Sequence, residues 1–395
     1  MKNIIITGGE LFNKGAQAMT FVTVDAIKKR FPDHEIYLLS PMDMDRSEDD
    51  KSQYAFSFLG WNPIKFARSQ SNPLLHTICR FRNREELLQA EQIYKNTDLM
   101  IDVSGYGLGS VWSSDACNNY LDHLEFAKAF DIPVYLMPQS FGPFVFTDKE
   151  GRKVDQRIRE LLPTAKIIFA REQEGYDELI NRYQLNNVRM APDLVLNSNE
   201  IDKSNIYINL PDWSYPMIEP GSIGIIPNER LIGTSSKETV IHLFTEAVAY
   251  LLNKNHTIYL MTHSTSDAAL CRIIKNNFET EEGVILIEED LNCFQFNEIV
   301  NKFSYVIAAR FHAIVHALKN SVPCIAVGWA AKYENLLAQF DQEKYMIDIR
   351  SSESSERLID TIHEMDISFK KEVSVISERL AEIRKSDVFD AITTP

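Results

Sequence analysis

The stretch Tyr305-Val306-Ile307-Ala308-Ala309-Arg310-Phe311-His312-Ala313-Ile314-Val315-His316-Ala317-Leu318 reads as a short buried strand running straight into an apolar helix. Consecutive apolar residues without alternation fit a strand covered on both faces, and the run from Phe311 is long enough for a helix packed inward. That pairing is the building unit of a parallel sheet covered by helices. Arg310 and His312 stand at the join, where the carboxyl end of the strand meets the helix N-terminus and open parallel sheets bind their ligands. An unpaired charge there is costly unless it meets a partner or a ligand. An anion would face both the helix dipole and the fork of Arg310. The alternative for Arg310 is an internal ion pair. His316, one turn later, reads as a hydrogen-bonded core histidine.

Outward from this stretch, β-branched runs alternate with amphipathic stretches almost from end to end. In the first half, strands are expected at Asn3–Thr7, Glu35–Leu39, Leu99–Val103, Val134–Met137, Ile167–Ala170 and Val188–Met190. Helices are expected at Ala16–Arg30, Glu85–Tyr94, Asn119–Phe130, Lys149–Leu162 and Gln173–Arg182. The pattern lapses between Asn197 and Pro220, where Asn, Ser, Asp and Pro accumulate, which makes this segment the linker candidate. It resumes with strands at Ser222–Ile226, Thr257–Met261, Val284–Ile287, Tyr305–Ala308 and Pro323–Val327. Helices are expected at Lys237–Leu252, Ser266–Phe278, Phe294–Lys302, His312–Lys319, Lys332–Gln339 and Glu356–Met365. The expectation is an α/β protein with two Rossmann-like domains, 1–200 and 221–365, facing a cleft. Residues 366–395 supply a charged amphipathic helix, Phe369–Arg384, that crosses back to the first domain.

Composition narrows the function. A chain of 395 residues exceeds the size at which one core usually keeps growing, which favours two domains. No apolar run approaches the roughly 18 residues of a membrane span, and the opening MKNIIITGGE is a first strand rather than a leader. Cys79, Cys117, Cys271, Cys293 and Cys324 form no CxxC pair and no zinc-like spacing, which fits a reducing compartment. The expected location is the cytoplasm, including a peripheral position at the inner face of the membrane. A formal charge of -15 argues against general affinity for nucleic acid, so an anionic ligand needs a local basic pocket. The one basic stretch, Arg68–Arg84, is broken by Pro73 and reads as a solvated helix face or loop ahead of a partner-binding patch.

Other loops at strand ends are unusual. Thr7 to Ala16 contains Gly8, Gly9, Asn13, Lys14 and Gly15, and glycines there free backbone N–H groups for an anion, although a tight turn without a ligand explains them equally. Asp102-Val103-Ser104-Gly105-Tyr106-Gly107-Leu108-Gly109 is a Gly-rich loop on a buried strand, of the kind that often binds ligands. Pro138-Gln139-Ser140-Phe141-Gly142-Pro143 gives another strand a fixed exit, with Gln139 offering a donor and an acceptor. Arg171 comes after a strand as Arg310 does, and the two could converge on one multiply charged ligand; the alternative is a pair with Glu172 or Glu174. Asp193 and Lys332 are further candidates that could instead cap or solubilise helices. Asp43-Met44-Asp45 is a DxD sequence, read as solvated charge in an acidic loop rather than a metal site. His256 and His263 flank a strand at no metal-ligand spacing.

In this order and spacing the segments resemble the polysaccharide pyruvyl transferase family. The resemblance runs through Asn13-Lys14-Gly15, Gly105-Tyr106-Gly107, Gln139-Ser140-Phe141-Gly142-Pro143, Arg171-Glu172 and Ala191-Pro192-Asp193 to Arg310-Phe311-His312-Ala313 and Pro323–Lys332. Two positions depart from it. Ala16 stands where the family often has an Asp, and Tyr106 lies inside what is usually a Gly-Gly loop.

The resemblance implies a fold like that of the two-domain GT-B glycosyltransferases, with the first domain on the acceptor side and the second on the donor side. It implies phosphoenolpyruvate as donor and a pyruvate ketal formed on two hydroxyls of a saccharide or lipid-linked saccharide, in an exported or envelope polysaccharide. Arg171, Arg310 and His312 are the implied donor-site residues, joined by Lys332. Asn13, Lys14, Gly15, Asp102, Gly105, Gly107, Gln139 and Asp193 belong to the acceptor or cleft loops. Two Arg forks suit a ligand carrying a carboxylate and a phosphate. His312 is the expected general acid, because an imidazole with a reference pKa of about 6.5 can both hold and give a proton. No metal or cofactor is expected. The rivals are a glycosyltransferase of the same shape with Arg310 and Lys332 on a nucleotide diphosphate, and a catalytically silent glycan-binding member.

Overall fold

A computed structural model describes residues 2–60 and 92–393. The basic stretch Arg68–Arg84, Cys79 and most of the helix expected at Glu85–Tyr94 lie outside the described residues. The chain divides into two units, one of Met1–Phe12, Met19–Pro211 and Asp387–Pro395, the other of Asn13–Ala18 and Asp212–Ser386.

In the first unit, β1 (Lys2–Thr7), β2 (His34–Leu39), β3 (Ser57–Leu59), β4 (Thr97–Asp102), β5 (Val134–Gln139), β6 (Ile167–Ala170) and β7 (Val188–Met190) form one sheet in the order β3-β2-β1-β4-β5-β6-β7. Every neighbouring pair is parallel. The strand order reverses between β1 and β4, whose ends are in register at Thr7 and Asp102, and this is where such sheets hold ligands. The helices beside the sheet start at residues suited to the task. The side chains of Ser113 and Asp148 accept from Ala116 N and Gly151 N, capping the helices Ser114–Ala129 and Lys149–Leu161.

In the second unit, β8 (Ile223–Ile226), β9 (Ile258–Met261), β10 (Val284–Ile287), β11 (Tyr305–Ala308), β12 (Cys324–Gly328) and β13 (Met346–Asp348) run in the order β10-β9-β8-β11-β12-β13, again all parallel. The switch lies between β8 and β11. Every residue of β8, β9, β11 and β12 is buried, which is why these strands read as unbroken apolar runs.

The segment read as a linker begins by packing on the first unit: Ile206 and Tyr207 are buried, and Ala55 N and Ile208 N donate to Ile206 O and Gln53 O. The division falls at Pro211, inside the segment read as the linker. Two expectations on organisation are corrected. The two helices expected at Glu356–Met365 and Phe369–Arg384 are one, Ser354–Ile383, because no Gly or Pro between Met365 and Phe369 interrupts the helical backbone. That helix groups with the second unit, and it is the segment after it, from Asp387, that groups with the first.

Candidate active site

Arg310 is the N-cap residue of helix Phe311–Lys319, two positions beyond β11. Its guanidinium is fixed from one side: Nε donates to Asp267 Oδ2 at 2.8 Å, and one terminal nitrogen reaches Asp267 Oδ1 at 2.5 Å and Ser266 Oγ at 2.9 Å. Asp267 is wholly buried and is itself held by Glu229 N, 3.1 Å, and Ser264 N, 3.3 Å. This is the internal ion pair that stands as the alternative to a ligand, yet it engages only Nε and one amine. The other terminal nitrogen makes no hydrogen bond among the described residues. The pair sets the guanidinium plane and leaves one donor edge for a ligand. Asn228, two residues past β8, ties the switch point together by donating to Ala309 O at 2.9 Å.

His312 is half-buried in the first turn of the same helix. Gly15 lies directly against it: a Cβ there would stand 2.4 Å from His312 Cγ and 2.5 Å from Nδ1. The first-loop residues Asn13–Ala18, expected on the acceptor side, are thus part of the second unit with Arg310 and His312. Asn13 caps helix Lys14–Arg30, its Oδ1 accepting from Gly15 N at 2.9 Å. Lys14 is 3 % exposed and meets Asp290 Oδ1 at 3.4 Å. Gln17 Oε1 accepts from Cys293 N at 2.6 Å. Lys332 is half-buried in the first turn of helix Ala331–Ala338, its ammonium 5.4 Å from the Phe311 ring centre and 5.6 Å from that of Tyr333, so cation–π contact places it near the start of the Arg310 helix.

Two histidines complete the neighbourhood. His316 is buried, with Nδ1 3.2 Å from Asn297 Oδ1, as a core histidine should be. His263, two residues beyond β9, is 2 % exposed, and neither ring nitrogen has a partner among the described residues. Burial pushes its pKa well below the ordinary imidazole value, and its neighbours His316, Lys14, His312 and Arg310 add to that.

The first unit holds the remaining candidates in one hydrogen-bonded network. Asp102, at the end of β4, accepts from Thr7 Oγ1 and Ser104 Oγ, both at 2.9 Å, and from Ser104 N and Gln139 Nε2, both at 3.2 Å. Burial pushes its carboxyl up against these four bonds. Gln139 Oε1 accepts in turn from Tyr120 OH at 3.1 Å. Arg171 is also buried. One terminal nitrogen meets Asp193 Oδ2 at 2.6 Å and the other donates to Gly105 O at 2.8 Å and Ser140 Oγ at 2.7 Å. Its carboxylate partner is chiefly Asp193 rather than Glu172, which lies 3.7 Å away, or Glu174. Both terminal nitrogens of Arg171 are therefore engaged by its own unit, where they brace the Gly105 and Ser140 loops. Asp193 has a second task as N-cap, accepting from Val195 N at 2.9 Å. Gly107 packs where a Cβ would meet the Tyr120 ring at 2.5 Å, a packing requirement. Tyr106 fits the loop by donating to Gly142 O at 2.6 Å.

Asp43 corrects another reading. It is not solvated charge but wholly buried, accepting from Ser40 Oγ and Arg46 Nε at 2.6 Å and from Leu11 N at 3.1 Å. Asp45 is exposed. No group of three His, Cys, Asp or Glu among the described residues could hold a metal ion, and none of the described helices is long and apolar enough to cross a membrane. The residues that sequence reasoning missed are Asp267, Asn228 and Asp290. Asp267 carries a local signal, the capping box with Ser264, but nothing in that signal names Arg310 as its partner.

Two parallel α/β sheets of this strand order place the protein in the GT-B class of architecture. The S. aureus MnaA–UDP co-structure has a TM-score of 0.59 at 11% identity, covering 99% of this chain and 94% of that one. A putative UDP-N-acetylglucosamine 2-epimerase from Listeria monocytogenes gives 0.58 at 12%, covering 99% and 94%. The spinosyn rhamnosyltransferase SpnG complexed with thymidine diphosphate gives 0.53 at 13%, covering 97% and 96%. At these identities the likeness is one of fold. No curated protein sequence matches the chain. The sequence profile of the family described as polysaccharide pyruvyl transferase matches residues 13–330. The chain belongs to the polysaccharide pyruvyl transferase family.

Proposed function

We propose that the protein transfers the pyruvyl group of phosphoenolpyruvate to two hydroxyls of a saccharide, forming a pyruvate ketal and releasing phosphate. The observation that carries this reading is the start of helix Phe311–Lys319, where Arg310 is oriented by Asp267 with one amine left over and His312 stands in the first turn, at the positive end of the dipole. The free edge of Arg310 takes an anionic oxygen of the donor, and Lys332 adds positive charge nearby. His312 gives its proton to the methylene carbon of the enol, which becomes a methyl group. The carbon bearing phosphate turns cationic and is attacked by the first sugar hydroxyl, whose proton is taken up by the phosphate group that then leaves. The carbon–oxygen bond to phosphate then breaks, the second hydroxyl closes the ring, and its proton returns to the imidazole or leaves with phosphate. Arg171 acts as a positioning residue by holding Gly105 and Ser140. The acceptor is a sugar of a polysaccharide or of its lipid-linked precursor, and the reaction takes place in the cytoplasm.

The test is release of phosphate from phosphoenolpyruvate by the purified protein with galactosides, glucosides, mannosides and N-acetylhexosamines. His312→Ala and Arg310→Lys run alongside, the latter because alanine would strand Asp267. Release that needs one acceptor class and disappears in both variants supports pyruvyl transfer. Nucleoside diphosphate formed from a nucleotide sugar, without phosphate release, sinks it in favour of a glycosyltransferase.

A further inference from the structure

Lys14 is a buried cation with too little around it. An ammonium carries three donors and a buried one is normally met by short, charge-assisted contacts. Lys14 is 3 % exposed, and its side-chain hydrogen bonding among the described residues amounts to one contact of 3.4 Å to Asp290. The carboxylate in that contact has a side chain 77 % exposed, so most of its own solvation lies with water rather than with Lys14. Burial pushes the Lys14 ammonium below its ordinary pKa, and the nearby Asp290 and Asp267 do not make up the difference. Asp267 is already the bidentate partner of Arg310. His263 adds two unpartnered buried nitrogens that feel the charge of Lys14, His312 and Arg310. Each carboxylate here is thus matched to one cation, Asp267 to Arg310 and Asp290 to Lys14, and the one that reaches Lys14 does so from solvent and at long range.

We propose that Lys14 is a binding residue for the anionic donor, and that Asp290 is a displaceable stand-in which occupies Lys14 until a phosphate or carboxylate oxygen takes its place. The inference rests on the donor site proposed above, and it turns a first-loop residue from the acceptor side into a donor ligand. A phosphate oxygen brings more charge to Lys14 than a solvated carboxylate at 3.4 Å, which is the reason exchange is favourable. Asp290 then sets donor affinity from outside the reaction: it competes for the same ammonium and returns to solvent at little cost.

Equilibrium binding of phosphoenolpyruvate, and separately of inorganic phosphate, to the full chain tests this without requiring turnover. Asp290→Asn should bind phosphoenolpyruvate about 5-fold tighter than the unaltered protein, and Lys14→Met about 10-fold or more weaker. The double variant should match Lys14→Met, because the gain from Asp290→Asn acts through Lys14. Asp290 is exposed, so its variant is expected to fold, and Lys14→Met removes a buried charge at similar volume. Unchanged or weaker binding in Asp290→Asn overturns the stand-in role, and unchanged binding in Lys14→Met overturns the whole inference. Should inorganic phosphate or a nucleoside diphosphate show this pattern while phosphoenolpyruvate does not bind, the pyruvyl reading fails and the Lys14–Asp290 exchange stands. Phosphate release by the unaltered protein, with Lys14→Met binding the donor equally well, fails the exchange alone.

Discussion

Position 15 must be glycine because an imidazole occupies the space a side chain would need. In Gly15→Ala the new methyl would overlap His312 Cγ at 2.4 Å, and the ring is the part able to turn away. A displacement on the order of 1 Å at a reacting group costs roughly 100-fold in rate, so kcat should fall by about that factor while thermal unfolding barely changes; an unaltered kcat would show that His312 is not the proton donor. The Arg310–Asp267 pair carries the opposite signature. In Asp267→Asn a buried guanidinium loses its counter-charge, a change that costs about 3–5 kcal/mol, and urea denaturation should report it along with lost donor binding. Arg310 and His312 are legible in the sequence because two polar residues interrupt an apolar strand–helix join. Asp267 is not, because its role depends on a contact across 43 positions. Asp43 escapes sequence reading for a similar reason: burial of a short helical turn leaves no periodicity to find.

The long helix Ser354–Ile383 is held to the second unit by one carboxylate as well as by its apolar face. Glu372 is 3 % exposed and accepts from Gln342 Nε2 at 2.8 Å and from Tyr345 OH and Lys344 Nζ at 2.9 Å. Burial alone would push its pKa up, but these hydrogen bonds outweigh it and hold the carboxyl below its ordinary 4.5. A depressed carboxyl contributes stability that is complete above the unfolded value and lost as pH falls through the folded one. Glu372→Gln should therefore lose stability at neutral pH, and the difference from the unaltered protein should shrink as pH drops below about 4.5. A difference that stays constant from acid to neutral pH in urea titrations would mean that Glu372 is protonated throughout. The helix also shows where element reading fails. Strands of four to six residues are evident as β-branched runs; of those with only three residues, β7 is read at Val188–Met190 whereas β3 and β13 are not. The helix itself reads as two because Asp366 and exposed Ile367 break the apolar spacing without breaking the backbone.

Two parallel sheets are readable from the alternation of runs, but which pieces of chain complete each unit is not, since that depends on contacts between distant segments. The C-terminal residues make the case. From Asp387 onward the chain groups with the first unit, where Val388, Phe389 and Ile392 are buried. Val388 N donates to Asn197 Oδ1 at 3.0 Å and Tyr135 OH to Thr393 O at 3.0 Å. Arg30 pairs with Asp387 and Asp390 at 2.6 and 2.9 Å, but those carboxylates are solvated and contribute little. Apolar burial dominates: Phe389→Ala should cost about 3–5 kcal/mol, whereas Asp390→Ala should change stability by less than about 1 kcal/mol. Ending the chain at Ser386 should cost more than Phe389→Ala, because it also strands the Asn197 side chain. Amide hydrogen exchange localises the effect. It should accelerate in β5 and in the turn Leu194–Asn197 of the first unit, with β11 of the second unit protected as before. Equal acceleration in both sheets would mean that the terminal segment supports the whole chain, and no acceleration in either would mean that its buried side chains are dispensable.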